Sequence, residues 1–239
     1  MTTPERHIVA LGGGGFSETF GDVTPLDRFI LSLTDAERPR VCFVGTASGD
    51  AATYVERFYA SFTRIDCRPS HLPLFGPPYP DLPDALLEQD VIYVGGGSTA
   101  NMLAVWRVHR VDRILRQAWE RGVVLCGMSA GSLCWFEGGV TDSFGPLRPL
   151  PDGLGLLPMT NCPHYDTEAE RRPTYRRSVG DGSIGDGIAA DDGVGLHFVG
   201  TELADVVSER EGAAAYRVER EGAAGRETRI EPRRLRSEL

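Results

Sequence analysis

Residues 123–131 read Val-Val-Leu-Cys-Gly-Met-Ser-Ala-Gly, a short apolar run that ends in Gly-x-Ser-x-Gly. An apolar run of this length suits a buried strand, and glycines on both sides of Ser129 suit a sharp turn into a helix. The pattern is the sequence form of a nucleophile elbow. A serine hydroxyl is a weak nucleophile in water, so a site that uses one must hold it clear of the backbone beside a base. Gly127 and Gly131 let the turn close without steric conflict. The next backbone N–H, that of Ala130, is then placed to donate to an oxyanion. The competing reading is a glycine-rich turn carrying an incidental serine. The setting, between a β-type run and Leu133-Cys134-Trp135-Phe136, favours the elbow.

Similar apolar runs occur at residues 8–11, 41–44 and 91–94, each followed by glycine. Between the runs lie helix-length segments at 25–33, 51–63 and 100–121. Strands apolar on both faces, alternating with helices, predict a mostly parallel central sheet covered on two sides. The Pro-rich segment 68–83 reads as a crossover with a short strand near 72–74. Residues 143–187 show little periodicity, and loops of such length are usually functional or disordered. Residues 194–199, 203–208 and 214–218 read as short strands extending the same sheet in antiparallel fashion. From about residue 225 the chain is rich in Arg and Glu and reads as a frayed tail. No repeat or composition break divides residues 1–239, so one α/β domain is expected.

The chain carries 25 Lys+Arg against 34 Asp+Glu, a net charge of −9, which argues against binding nucleic acid or an anionic membrane. No apolar stretch approaches the length of a membrane span, and the N-terminus has no signal-like apolar region. Five scattered cysteines (42, 67, 126, 134 and 162) without a Cys-x-x-Cys pair suit a reducing cytoplasm and argue against a structural zinc. No cofactor and no metal are expected.

Two glycine runs could hold a ligand. Gly12–Gly15 fits no register of the dinucleotide pattern, and Gly95-x-Gly97-x-x-Ala100 fits only its loose form. The strand after the second run ends in the elbow rather than in a ribose-binding acid, which removes the dinucleotide reading. Gly96 and Gly97 are instead placed to offer backbone N–H groups beside Ser129. Among the histidines, His7, His71 and His109 read as surface or packing residues. His164, in Asn161-Cys162-Pro163-His164, ends an apolar segment where a base would be displayed, whereas His197 could face either side of its strand. Asp191-Asp192 before Gly193 supply a carboxylate, and adjacent residues of an extended segment point apart, so at most one serves. The order Ser129, His164, Asp192 differs from that of α/β-hydrolases; a hydrolase-like order would require Ser129, Asp166 and His197.

These pieces together resemble the peptidase E family of serine peptidases, which includes aspartyl dipeptidases and the related cyanophycinases. The likeness rests on residues 91–103, the elbow, the Asn-Cys-Pro-His loop and Asp191-Asp192-Gly193, in order across about residues 7–210. It implies a flavodoxin-like three-layer α/β sandwich related to class I glutamine amidotransferases, and metal-independent cleavage of short peptides. It also implies Ser129 as nucleophile, His164 as base, and Gly96 with Ala130 as oxyanion donors, Gly97 being the alternative glycine. Asp192 falls where relatives commonly carry glutamate. An aspartate-reading pocket would need a cation, for which Arg148, Arg171, Arg172 and Arg176 are candidates; Asp166 or Glu168 could hold a substrate ammonium. The expected partner is a short peptide, with a homodimer left open. The alternatives are a cyanophycinase-like isopeptidase and a non-catalytic Rossmann-like module for a small ligand.

Overall fold

The computed structural model describes residues 4–76, 81–221 and 224–236. The first half of the chain alternates strands and helices: β1 (His7–Leu11), α1 (Pro25–Leu31), β2 (Arg40–Val44), α2 (Ala52–Phe62), β3 (Arg68–His71), α3 (Leu82–Leu87), β4 (Val91–Val94), α4 (Thr99–His109), α5 (Val111–Glu120) and β5 (Val124–Met128). The elbow leads into α6 (Ala130–Leu133), followed by β6 (Phe136–Thr141), β7 (Arg148–Leu150), β8 (Leu157–Cys162) and α7 (Arg171–Gly180). The chain then continues through β9 (Gly187–Ala190), β10 (Val194–Val199), β11 (Glu202–Ser208), β12 (Ala215–Glu219), β13 (Arg226–Ile230) and β14 (Arg233–Arg234).

The main sheet has eight strands in the order β14-β11-β10-β1-β5-β4-β2-β3. β1, β5, β4, β2 and β3 run parallel; β10 is antiparallel to both β1 and β11, and β14 runs parallel to β11 at the edge. Side chains of successive strand residues leave opposite faces, and here both faces are covered. Ile8, Ala10, Ile92, Val94 and Leu125 pack against α4 and α5; Val9, Leu11, Val91, Tyr93 and Cys126 pack against α1 and α2. α5 buries Val111, Ile114, Leu115, Ala118 and Trp119, the spacing of one helical face. α1 begins at a capping box: the Asp27 N–H donates to the Thr24 hydroxyl, and the Thr24 N–H donates to the Asp27 carboxylate.

A second sheet, of six strands in the order β13-β12-β9-β8-β6-β7, is not anticipated by the sequence reading. One of its faces, through Phe136, Leu157 and Ile188, joins the main core; the other packs Cys162, Ala189 and Tyr216 beside Tyr175 and Val179 of α7. Residues 143–187 therefore hold β7, β8 and α7 rather than an irregular loop. Residues 215–219 leave the main sheet for the second one. Of the expected frayed tail, the described residues form strands: β13 pairs with β12 and β14 pairs with β11; residues 237–239 lie outside the described residues. The segment 100–121 breaks into two helices at Arg110, whose φ of 60° ends α4 and begins α5. The strand in the Pro-rich crossover lies at Arg68–His71, earlier than expected.

Candidate active site

β5 delivers Ser129 into a conformation that L-residues avoid, with φ 56° and ψ −113°. Among the described residues four non-glycine positions have positive φ, and two of them are Ser129 and His164. Such strain persists only where the surroundings impose it. The cause at Ser129 is close packing of the turn on β4: a Cβ at Gly127 would lie 2.6 Å from the Val94 carbonyl oxygen, and one at Gly131 only 2.2 Å. Ala130 opens α6, so its N–H has no partner within that helix. Asn161 ties the helix down, accepting from the Ser132 hydroxyl at 3.2 Å and donating to Ile188 O at 3.1 Å.

The end of β1 holds the other parts in place. Ser129 N–H donates to Leu11 O (3.3 Å), His164 N–H to Gly12 O (3.1 Å) and Gly193 N–H to Gly13 O (3.1 Å). Three consecutive carbonyls thus fix Ser129, the His164 loop and the Asp192 turn. Gly13 has no room for a side chain: a Cβ there would meet Asp192 Oδ1 at 2.3 Å and His164 Cε1 at 3.1 Å.

His164 Nδ1 and Asp192 Oδ1 are 2.6 Å apart. With Nδ1 engaged, Nε2 is the ring nitrogen left for proton transfer. The second Asp192 oxygen accepts from the Thr167 hydroxyl at 2.8 Å, and the Asp192 N–H donates to Asp166 at 3.0 Å. Burial alone would raise the Asp192 carboxyl, but the hydrogen bond and charge of His164, with Thr167 and Arg210, outweigh it and hold the group below the usual carboxylate range. Asp191 faces elsewhere. Its carboxylate is buried and accepts from Ala214 N–H at 2.9 Å, and burial raises its pKa.

Ser129, His164, Gly13 and Gly96 line a cavity of about 360 Å³, at the small end of the range for ligand pockets. The Gly96 N–H opens into it and donates to the Tyr54 hydroxyl at 3.2 Å, and that hydroxyl lies 3.0 Å from Met128 Sδ. Burial raises the Tyr54 pKa, so the group stays a neutral phenol. Gly97 does not line the cavity, which favours Gly96 over Gly97 as the glycine donor.

The remaining expected substrate contacts lie elsewhere. Asp166 is ion-paired to Arg210 and supports the Asp192 turn. Arg171 is buried, bonded to Glu168 at 2.7 Å and to Val140 O at 3.2 Å. Arg172 pairs with Glu227, Arg176 donates to Gly225 O at 3.3 Å, and Arg148 stacks on Phe144. None of Asp166, Glu168, Arg171 or Arg172 lines the cavity, because the α7 segment that carries the arginines is spent on packing the second sheet. The order Ser129, Asp166, His197 also fails, since His197 lies on β10 bonded to His7 at 3.1 Å. The cavity instead presents Ser17, Glu18, Tyr54 and Arg57, which the sequence reading passed over. The spacing of 54 and 57 on one helix face was the available signal. Among the described residues no group of three or more His, Cys, Asp or Glu could hold a metal. No helix among them is long and apolar enough to cross a membrane.

Residues 8–206 match the family described as Peptidase family S51, a span that includes Ser129, His164 and Asp192. The chain belongs to peptidase family S51. This S51 peptidase is 52% identical over 213 residues to the Bacillus subtilis (strain 168) protein named "Uncharacterized peptidase YgaJ", covering 89% of this chain and 92% of that one. It is 34% identical over 97 residues to a Drosophila melanogaster protein named "Probable alpha-aspartyl dipeptidase", which is 39% of this chain and 40% of the relative. The fold matches a solved peptidase from an acI-B1 Actinobacterium with a TM-score of 0.69 at 16% identity, over 95% of this chain and 96% of that one. A Listeria monocytogenes EGD-e protein named for peptidase E gives a TM-score of 0.62 at 19% identity, over 86% of this chain and 98% of the other.

Proposed function

We propose that this S51 peptidase is a cytoplasmic serine exopeptidase that cleaves dipeptides or short peptides with Ser129, His164 and Asp192. The observation that carries the reading is the strained Ser129 sharing one cavity with His164, whose other ring nitrogen is 2.6 Å from Asp192. His164 Nε2 takes the Ser129 proton as the hydroxyl oxygen attacks the substrate carbonyl carbon. The N–H groups of Gly96 and Ala130 receive the oxyanion, and Tyr54 must release Gly96 for that purpose. One such donor is worth roughly 3–4 kcal/mol in the transition state. The tetrahedral species collapses as His164 protonates the departing amine. Water, deprotonated by the same imidazole, then frees the acyl group from Ser129. Asp192 holds the tautomer and stabilises the imidazolium.

The small cavity supports short substrates, and the partial likeness to a protein named for alpha-aspartyl dipeptidase supports an amino-terminal aspartate among them. The free, buried cysteines support a reducing cytoplasm. A fluorophosphonate probe tests the chemistry, together with a dipeptide library. Wild type should be labelled at Ser129 and hydrolyse a subset of the library, and Ser129→Ala should do neither. Hydrolysis by a clean Ser129→Ala preparation at more than about a tenth of the wild-type rate would refute the mechanism, because a triad acts as a unit.

A further inference from the structure

The cavity beside Ser129 carries two opposite charges that do not pair with one another or with any other described residue. Glu18 sits on the rim, with one carboxylate oxygen accepting from Gly14 N–H at 2.8 Å. Arg57 lies on the rim formed by α2, with one guanidinium nitrogen donating to Ser17 O at 3.0 Å. Among the described residues each is steadied by a single backbone contact, which leaves its other polar atoms open. The arginines nearby behave differently: Arg171, Arg172 and Arg210 are each held by a carboxylate. A carboxylate and a guanidinium kept apart at one mouth match a ligand that brings one charge of each sign.

The helix sets the distance from the chemistry. Tyr54 and Arg57, three residues apart on one face of α2, line the cavity together with Ala51, which precedes the helix. The Tyr54 hydroxyl marks the Gly96 N–H, the proposed oxyanion position, and Arg57 stands one turn farther along, about 4.5 Å of helix rise. A group read by Arg57 therefore shares one cavity with the scissile carbonyl.

We infer that Arg57 binds a substrate carboxylate and Glu18 the substrate's free α-ammonium, so that the enzyme selects unblocked peptides by charge at two points. The inference rests on the serine peptidase reading. Two groups could supply the carboxylate, an acidic amino-terminal side chain or the peptide's carboxyl terminus, and the substrates separate them. The measurement is kcat/KM for Asp-Ala, Ala-Ala, Asp-Ala amide and N-acetyl-Asp-Ala, each on wild type, Arg57→Gln, Arg57→Lys and Glu18→Gln. Ratios taken on one preparation do not depend on the fraction folded.

If the side chain is read, Arg57→Gln should erase roughly 10- to 100-fold of the preference for Asp-Ala over Ala-Ala, the scale of one charge-assisted hydrogen bond. If the terminus is read, the same loss should appear in Asp-Ala over its amide. Arg57→Lys should restore part of either preference as a point charge. Glu18→Gln should shrink the preference for Asp-Ala over its N-acetyl form by a similar factor. Arg57→Gln acting equally on every substrate would overturn the assignment of Arg57, and an unchanged acetyl ratio in Glu18→Gln would overturn that of Glu18. A wild type that hydrolyses none of the peptides and takes up no fluorophosphonate would sink the peptidase reading and this inference with it. An active enzyme whose ratios ignore both variants would sink the inference alone.

Discussion

Gly13→Ala tests whether the end of β1 sets the geometry of the acid and base. Gly13 does not occupy the positive-φ region, so alanine is conformationally acceptable and only the new methyl group matters. That methyl would sit 2.3 Å from Asp192 Oδ1, whereas ordinary contact begins near 3.4 Å. The carboxylate must retreat by about 1 Å, which carries a 2.6 Å contact to His164 past hydrogen-bonding range. Neutralising a triad aspartate costs about 10⁴ in kcat, and a displaced but charged one should cost roughly 10²–10⁴. Overpacking should remove about 1–3 kcal/mol of stability without unfolding the domain. The assay is dipeptide turnover beside a thermal melt, with Gly76→Ala as control because a methyl there meets nothing within 4 Å. Gly13→Ala and Asp192→Asn should also be non-additive, the double variant matching the poorer single. A folded Gly13→Ala enzyme within about threefold of the wild-type kcat would refute the argument.

Ser129→Ala should lower kcat by roughly 10⁴–10⁶, and Ser129→Gly should be equally inactive yet more stable than Ser129→Ala by about 1 kcal/mol in urea unfolding, since only glycine relieves the positive φ. Asp192→Asn should cost about 10²–10⁴ in kcat, Asp192→Glu should keep measurable turnover, and Asp191→Asn should shift the melting midpoint far more than the rate, because Asp191 serves a buried backbone N–H. Burial of Asp27 raises its pKa from 3.8 to about 6, so the folded state resists its ionisation. Between pH 4 and pH 7 the stability of wild type relative to Asp27→Asn should therefore fall by about 2 kcal/mol, as urea titrations at the two pH values would read.

The parallel sheet and its elbow were legible because their signals are local: apolar runs, a following glycine and small residues around Ser129. Motif order singles out His164 and Asp192, but nothing local marks the sheet end that brings them together, because Gly12 and Gly13 read in the sequence only as a candidate ligand loop. Their real constraint is closeness to the Asp191-Asp192 turn, some 180 residues later in the chain. The second sheet escaped for a similar reason. Its short strands alternate poorly, and β8 exposes Pro158 while burying Asn161, whose amide is satisfied by partners on α6 and β9. The arginines of 171–176 looked like ligands because a loop was expected there; on a helix packed against a sheet they have structural partners.

Tyr165, the residue after the proposed base, donates to Glu227 at 2.7 Å, and the same carboxylate holds Arg172. Glu227 belongs to β13, beyond residue 206, where the match to the family ends. The loop that carries His164 is therefore braced by a segment that lies outside the residues matched to the family. Chimeras between S51 peptidases have to respect that dependence. A His164 loop moved into another member without its own terminal hairpin leaves the Tyr165 hydroxyl without its acceptor, and shortening this chain before β13 does the same to the native enzyme.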